Sequence, residues 1–315
     1  MSVRKSENGQ AIVLMALSLV VIMGMAALVV DVGSWYRTQR RLQGTADAAA
    51  LAGAQLLPDD SSGAQSMALD YANKNGGNVL GADITVTSTV SANDTISVKA
   101  KKTDSGVFSG ILGIGSSDIS ARAKARVGPP VQAKAVAPMV VYCDHPLIHN
   151  CNGDSTPDFG PGNPTAMNYD PLGAPGAYGM LDLDGQGGTV GSSTEANWIL
   201  HGFDKYLPTG NYPSDPGAKF SSSNIQDALT ARLGTVLLFP VFKRLDGQGQ
   251  NAQYEIIGWI GFHLTGFDVH GNNATLRGYF TEFIAQGILA GSGGSGGSGT
   301  PPSSSFGVTS IQLIE

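Results

Sequence analysis

Four side chains able to bind a metal crowd into the nine residues from Cys143 to Cys151, which read C-D-H-P-L-I-H-N-C. The thiolates of Cys143 and Cys151 and the imidazoles of His145 and His149 would make a closed tetrahedral zinc set. The spacing is tighter than the separated ligand pairs such sites use. Two cysteines also suffice for one disulfide, the simpler outcome in an oxidising compartment. The expectation is therefore a Cys143–Cys151 bridge, with zinc and free thiols as the alternatives.

A second group is M-L-D-L-D-G-Q-G-G, Met180 to Gly188. Asp182 and Asp184 alternate with leucines, so both carboxylates could leave one face of a strand. D-x-D-G resembles part of a calcium loop, but the bidentate Glu at the twelfth position is missing and Glu195 is off register. A plain strand and turn is the expectation, with calcium at Asp182 and Asp184 as the alternative. No other cofactor is implied. The remaining histidines, His201, His263 and His270, have no serine or cysteine partner in a local catalytic motif; His263 reads as a strand residue, and Asp268 and His270 as part of a turn. G-x-S-x-G at Gly293–Gly297 and G-x-G-x-x-G at Gly291–Gly296 follow no strand and open no helix, and Gly/Ser repeats generate both by composition. The expectation is a protein without an active site.

The element that must carry all of this lies at the start of the chain. Ala11 to Val30 contains no charge. About 20 apolar residues at ~1.5 Å each just cross a hydrocarbon layer of roughly 30 Å. Asp31 follows, then Trp35 and Tyr36, then Arg37, Arg40 and Arg41, an order that a membrane–water interface selects. Asp31 reads as a charge at the membrane edge, reaching headgroups or pairing with a partner subunit. Beyond it Trp35, Leu42, Ala49 and Leu56 keep heptad spacing, with Ala46 and Gly53 four residues after Leu42 and Ala49, so one apolar stripe runs along a helix that leaves the bilayer. The stripe could pack on the chain's own sheet or admit a neighbouring helix to its small residues. The span exceeds the usual signal-peptide core and runs on without a loop, so a retained anchor is expected. The lipid bilayer is thus the first partner expected.

The run G-Q-A-hydrophobics-V-D-V-G-x-x-Y, followed by L-Q-x-x-A-D-A-A-A-L-A-G-A, resembles the N-terminal segment of TadG-like proteins, in the TadE/TadG group associated with Flp pilus assembly in bacteria. Gly9, Gln10, Ala11, Asp31, Gly33, Tyr36, Leu42, Gln43 and Ala46 to Ala54 carry it. A weaker likeness continues through Val127, and another, to TadG-like ectodomains, runs from about Met180 to Ile288. The resemblance implies a non-catalytic, single-pass component of a bacterial cell-surface pilus, its N-terminal tail inside and its body outside. It implies pilus or pilus-assembly proteins as partners and allows a homo-oligomer or a place in the filament. Type IV pilins carry a Glu shortly after a cleaved Gly; here Glu7 precedes Gly9 and Gln10 follows it. The alternative reading is a membrane-tethered extracytoplasmic binding module, calcium-dependent if Asp182 and Asp184 bind, for surface polymers or partner proteins.

The rest of the chain supports an α+β class. Glycine is abundant, 43 of 315 residues, and only 14% are charged, which favours strands and turns. The net charge of −6 argues against nucleic acid as a partner. The expected order is a tail (1–10), the transmembrane and extended helix (11–57) and a small pilin-like α+β domain (58–128). The last has a helix from Ala64 to Asn75, with Met67, Ala68 and Tyr71 on one face, and strands at Asp83–Val90, Thr95–Lys101 and Asp118–Val127. Val107 to Ile114 is a short helix or turn between the last two strands. Gly128-Pro129-Pro130 marks a boundary. A β-rich, sandwich-like extracytoplasmic domain (129–290) follows, with strands at Val131–Tyr142, Thr235–Phe242, Tyr254–Thr265 and Asn273–Ile284. Its long loop is Asn152–Gly179, its helical segments are near Thr194–Leu207 and Ser223–Leu233, and Pro240 marks an edge or bulge. A Gly/Ser/Pro loop (291–305) and a last strand (306–315) close the chain.

Overall fold

A computed structural model of the chain describes residues 8–106, 108, 116–152, 155–187, 189–217, 219–289 and 306–314. The N-terminal tail before Asn8, most of the Val107–Ile114 segment and the Gly291–Ser305 loop lie outside the described residues. The class is α+β. The chain divides into two compact units: Met1–Arg126 with Leu313–Glu315, and Val127–Gln312.

The first unit is built on the helix Asn8–Ala54, 47 residues long. No proline interrupts it and its glycines are isolated, so the i to i−4 ladder runs unbroken for roughly 70 Å. Nearly every residue from Ala11 to Val30 is exposed. Further along, Leu42, Ala46, Ala49, Ala50 and Ala54 are buried. A turn follows, and the helix Ser61–Lys74 starts where Asp60 accepts the Gly63 N–H at 2.8 Å. Its buried stripe is Ala64, Ala68 and Ala72, not the expected Met67–Ala68–Tyr71 face; Tyr71 is largely exposed. The reason is the closeness of the two helices. A Cβ on Gly53 would lie 2.6 Å from Ile96 Cδ1, 2.7 Å from the Ala64 carbonyl oxygen and 3.0 Å from Ala68 Cβ. Only small residues permit that approach.

Against these helices lie three antiparallel strands, Ile84–Thr87, Thr95–Asp104 and Ser117–Gly128. The register pairs Ile96 with Ala125, Val98 with Ala123 and Ala100 with Ala121, and all six are buried. Period-two alternation therefore sends Ser97, Lys99, Arg122 and Lys124 to the other face. The first strand stops at Thr87, short of the expected Val90, because the Asp94 carboxylate gathers the next amides. It accepts the N–H groups of Thr89 (2.8 Å), Val90 (2.8 Å) and Ser91 (2.9 Å). Burial pushes this carboxyl up, but the Ser91, Val90 and Thr89 amides and the Thr95 hydroxyl outweigh it and bring its pKa down to about 2.

In the second unit one sheet runs Thr165–Asn168, Asn273–Thr281, Gln253–His270, Val236–Asp246, Met139–Tyr142 and Tyr178–Met180, with Gly210–Pro213 paired beside the start of Gln253–His270. Helices Ser192–His201 and Ser223–Ala231 contribute Ala196, Ile199, Ile225 and Leu229 to a core shared with Leu237, Phe239, Ile260 and Phe262. Another core joins Leu238, Trp259 and Ile256 to Ala133 and Leu207, which belong to a small sheet of Gly287–Leu289, Pro130–Ala133 and Leu207–Pro208. The expected Val131–Tyr142 strand is two strands, because the chain turns at Ala135 in a left-handed conformation (φ 60°). The expected Asn152–Gly179 loop holds a strand, Thr165–Asn168, and the start of another. Asp268 and His270 end a strand; the turn is Gly271–Asn272. Pro240 lies in a central strand opposite Trp259, immediately before a register shift at Val241/Phe242, where parallel pairing to Met139–Tyr142 begins. The last strand, Val308–Leu313, pairs in parallel with Phe283–Ile284. Phe306 before it is buried against Gly258, where a Cβ would meet the ring at 2.6 Å.

Two glycines of the long helix should respond in opposite ways. Gly53→Leu should destabilise the first unit by roughly 1–3 kcal/mol through overpacking. Gly44→Ala, where an added Cβ meets nothing within 4 Å, should stabilise it by roughly 0.5–1 kcal/mol. Denaturant unfolding of the detergent-solubilised chain measures both.

Candidate functional site

The long helix changes character at Asp31. From Ala11 its side chains face outward, and no charge interrupts the run before Asp31. By length and composition this helix can cross a membrane. Asp31 is not an exposed edge charge: it is 3% exposed, and both carboxylate oxygens accept the Phe108 N–H at 3.1 Å. Two turns on, Thr38 donates to Asp104 at 2.8 Å. The predicted stripe then meets its own unit. Leu42, Ala46, Ala49 and Gly53 are buried, and Trp35 and Leu56 are half-buried. Of the two readings for its small residues, the geometry has the stripe against the chain's own second helix and sheet. What stays open on the helix beyond Asp31 is the opposite side, with Tyr36, Arg37, Arg40 and Arg41.

The solvent face of the first unit's sheet forms a groove of about 480 Å³. Thr85, Ser97 and Thr87 supply hydroxyls, and Lys99, Arg122 and Lys124 supply cations. Strand register brings these side chains together: Thr85 pairs with Ser97, which pairs with Lys124, and Lys99 pairs with Arg122. A polar, cationic face of this kind suits acidic protein surfaces or other anions.

In the second unit Cys143 and Cys151 form a disulfide with Cα atoms 4.8 Å apart, so their thiolates are not available to zinc. His145 is buried, its Nδ1 accepting the Leu147 N–H at 3.1 Å and its ring edge-on to Phe280. Burial first, and His149 second, depress its pKa to about 4, so the ring is neutral. His149 faces Asp158 at 3.6 Å, and His263 stacks on Tyr279 with centroids 4.7 Å apart. Asp182 and Asp184 lie in a turn after the strand ends at Met180, not on a strand face. Asp182 is buried and accepts the N–H groups of Asp184 (3.2 Å), Gly185 (3.2 Å) and Gly187 (2.8 Å). Asp184 is exposed. The acceptor capacity of Asp182 is thus largely occupied by the turn. Among the described residues no group of three or more His, Cys, Asp and Glu is placed to hold a metal ion.

Sequence reasoning passed over a buried acidic pair with a lysine beside it. Glu195 and Asp215 are fully buried. Asp215 accepts the Val190 N–H (3.2 Å) and the Gly217 N–H (3.2 Å). The Lys219 ammonium, which donates to the Val190 carbonyl, stands 3.9 Å from Glu195. Burial first, then the Asp215 carboxylate, push Glu195 up to about 8 against the opposing pull of Lys219. The available signal was the turn S-D-P-G-A-K, two of whose charges stand about twenty residues from Glu195. The two carboxyl groups are buried while the Lys219 side chain is 32% exposed, and the three read as a structural network.

Residues 9–56 match the model of the family described as "Putative Flp pilus-assembly TadE/G-like". The N-terminal segment is TadE/G-like. Its matched residues coincide with the long helix, so the exposed span, Asp31 and the buried stripe all fall inside the TadE/G-like segment. The weaker resemblances traced through Val127 and from Met180 to Ile288 lie outside it. No curated protein and no solved structure matches the chain.

Glu195 gives a pH test. Its folded pKa lies above the ordinary value of 4.5, so the folded state holds a proton that the unfolded state releases. That stability is complete below about pH 4.5 and is lost as pH rises toward about 8. Glu195→Gln keeps the shape and removes the titration. Relative to the variant, the native chain should lose stability across that window; parallel pH profiles of unfolding midpoints would contradict the assignment.

Proposed function

We propose that the chain is a membrane-anchored, non-catalytic component of a Tad/Flp-type pilus system. The observation that carries this is the coincidence of the TadE/G-like match with one helix whose first half is apolar and exposed and whose second half is the core of a folded unit. In this reading the span holds the chain in the bacterial cell membrane, both units stand on the extracytoplasmic side, and contacts to pilus or pilus-assembly proteins are made by surfaces. Scaffolding through the Ala-rich stripe is not part of it, because those side chains are already buried in the chain's own unit. The groove carrying Lys99, Arg122 and Lys124 is the surface best suited to an acidic partner.

Crosslinking of the full-length protein in native membranes, with mass spectrometry of what co-purifies, tests this. Pilin or secretion-platform subunits should be recovered, and less of them from a Lys99→Glu/Arg122→Glu/Lys124→Glu variant that still inserts and folds. Recovery of the protein by itself, from native and variant chains alike, would contradict the proposal.

A further inference from the structure

On the reading that the chain works through surface contacts to pilus or pilus-assembly proteins, we infer that the cationic groove takes an extended acidic segment of its partner, one with two carboxylates on alternate residues. The strands set the geometry. Lys99 and Arg122 are register partners across Thr95–Asp104 and Ser117–Gly128, so their Cβ atoms stand ~5 Å apart on one face. Lys124 follows Arg122 by two residues on that face, ~7 Å along the strand, and lies opposite Ser97. Like charges directly opposite in a sheet destabilise it. Among the described residues neither Lys99 nor Arg122 has a carboxylate within ion-pair distance. Lys99 is moreover half-buried. The fold thus carries a repulsive pair that strand formation does not require, and a carboxylate from outside would relieve it.

The positive stretch is short. At one end Asp83 holds Lys101 at 3.1 Å, and Asp118, further down the row of Lys124 and Arg122, accepts from Thr103 at 2.6 Å. At the other end the Asp94 carboxylate accepts from Thr89 in the groove wall at 3.0 Å. Three cations between carboxylates match two or three negative charges. A long phosphodiester polymer would run its next phosphates over those carboxylates. An extended peptide has the right period, because its side chains at i and i+2 leave one face ~7 Å apart. The Thr85, Thr87 and Ser97 hydroxyls of the groove can serve its main chain.

The test is fluorescence anisotropy of labelled synthetic peptides with the full chain in phosphatidylcholine nanodiscs. The probe peptide carries two aspartates on alternate residues of a Thr/Ser segment. The control has the same composition with the aspartates adjacent, so an extended chain sends them to opposite faces. The alternate peptide should bind several-fold tighter than the control, weaken as salt is raised, and lose most of its binding in Lys99→Gln and in Arg122→Gln. Oligothymidylate should bind more weakly than the alternate peptide. A second readout excludes a merely structural role for the cations. Arg122→Thr removes the cross-strand repulsion, so the free chain should unfold at an equal or higher denaturant midpoint while its peptide affinity falls. Equal binding of the two peptides, tighter binding of oligothymidylate, or a lowered midpoint in Arg122→Thr would each overturn the inference. Its failure is distinct from failure of the pilus reading. A chain that discriminates the peptides but recovers no pilus subunit on crosslinking retains the groove's specificity and loses the pilus assignment. A chain that crosslinks to pilus subunits and binds neither peptide retains the assignment and refutes the groove.

Discussion

At Gly53 the long helix comes so close to Ile96, the Ala64 carbonyl and Ala68 that there is no room for a β-carbon, and the first unit is arranged around that approach. The alanines of the second helix, the alternating Ile96–Val98–Ala100 row and its Ala125–Ala123–Ala121 partners are all sized to it. Small residues give up apolar area, but they bring backbone against backbone over a long seam, where many weak dispersion contacts add up. The same helix then continues into a segment with no protein around it. One element thus has two halves, one packed on its own sheet and one apolar and long enough to cross a membrane, and Asp31 stands where they meet.

The second unit solves a different problem. Its sheet is buried on both faces, by two helices on one and a small sheet on the other. It therefore reads as near-continuous apolar runs such as Val236–Phe242. Polar groups inside it are tied down locally: Asp182 holds a glycine turn, His145 accepts an amide, and a disulfide closes a nine-residue loop. These arrangements fix loops. The chemistry suggested by their residue types, zinc at the cysteines or calcium at the aspartates, needs ligands that the fold has put to that structural use.

The sequence was most legible where periodicity was strict. The uncharged run, the heptad stripe and the period-two strands of the first unit each follow from one repeated spacing. Legibility failed where a side chain overrode the pattern. Asp94 draws the Thr89–Ser91 amides out of a strand that alternation would have continued. Ala135 breaks an apolar run by adopting a left-handed turn with no glycine to announce it. The bulge expected at Pro240 is present as the register shift beside it, in a central strand and not at an edge. The Glu195–Asp215–Lys219 trio and the Asp31–Phe108 bond were invisible for another reason: both are products of topology, joining residues about 20 and 77 positions apart.

The second half of the TadE/G-like helix is the core of the chain's own first unit. Hydrogen exchange of the full chain in lipid nanodiscs, followed as denaturant is raised, tests it most directly. Leu42–Ala54 and Thr95–Asp104 should lose protection together, at one midpoint independent of protein concentration, while Ala11–Val30 stays protected by lipid. Protection of Leu42–Ala54 that persists after Thr95–Asp104 has opened, or that appears only when chains associate, would contradict it and make the stripe an interface between helices.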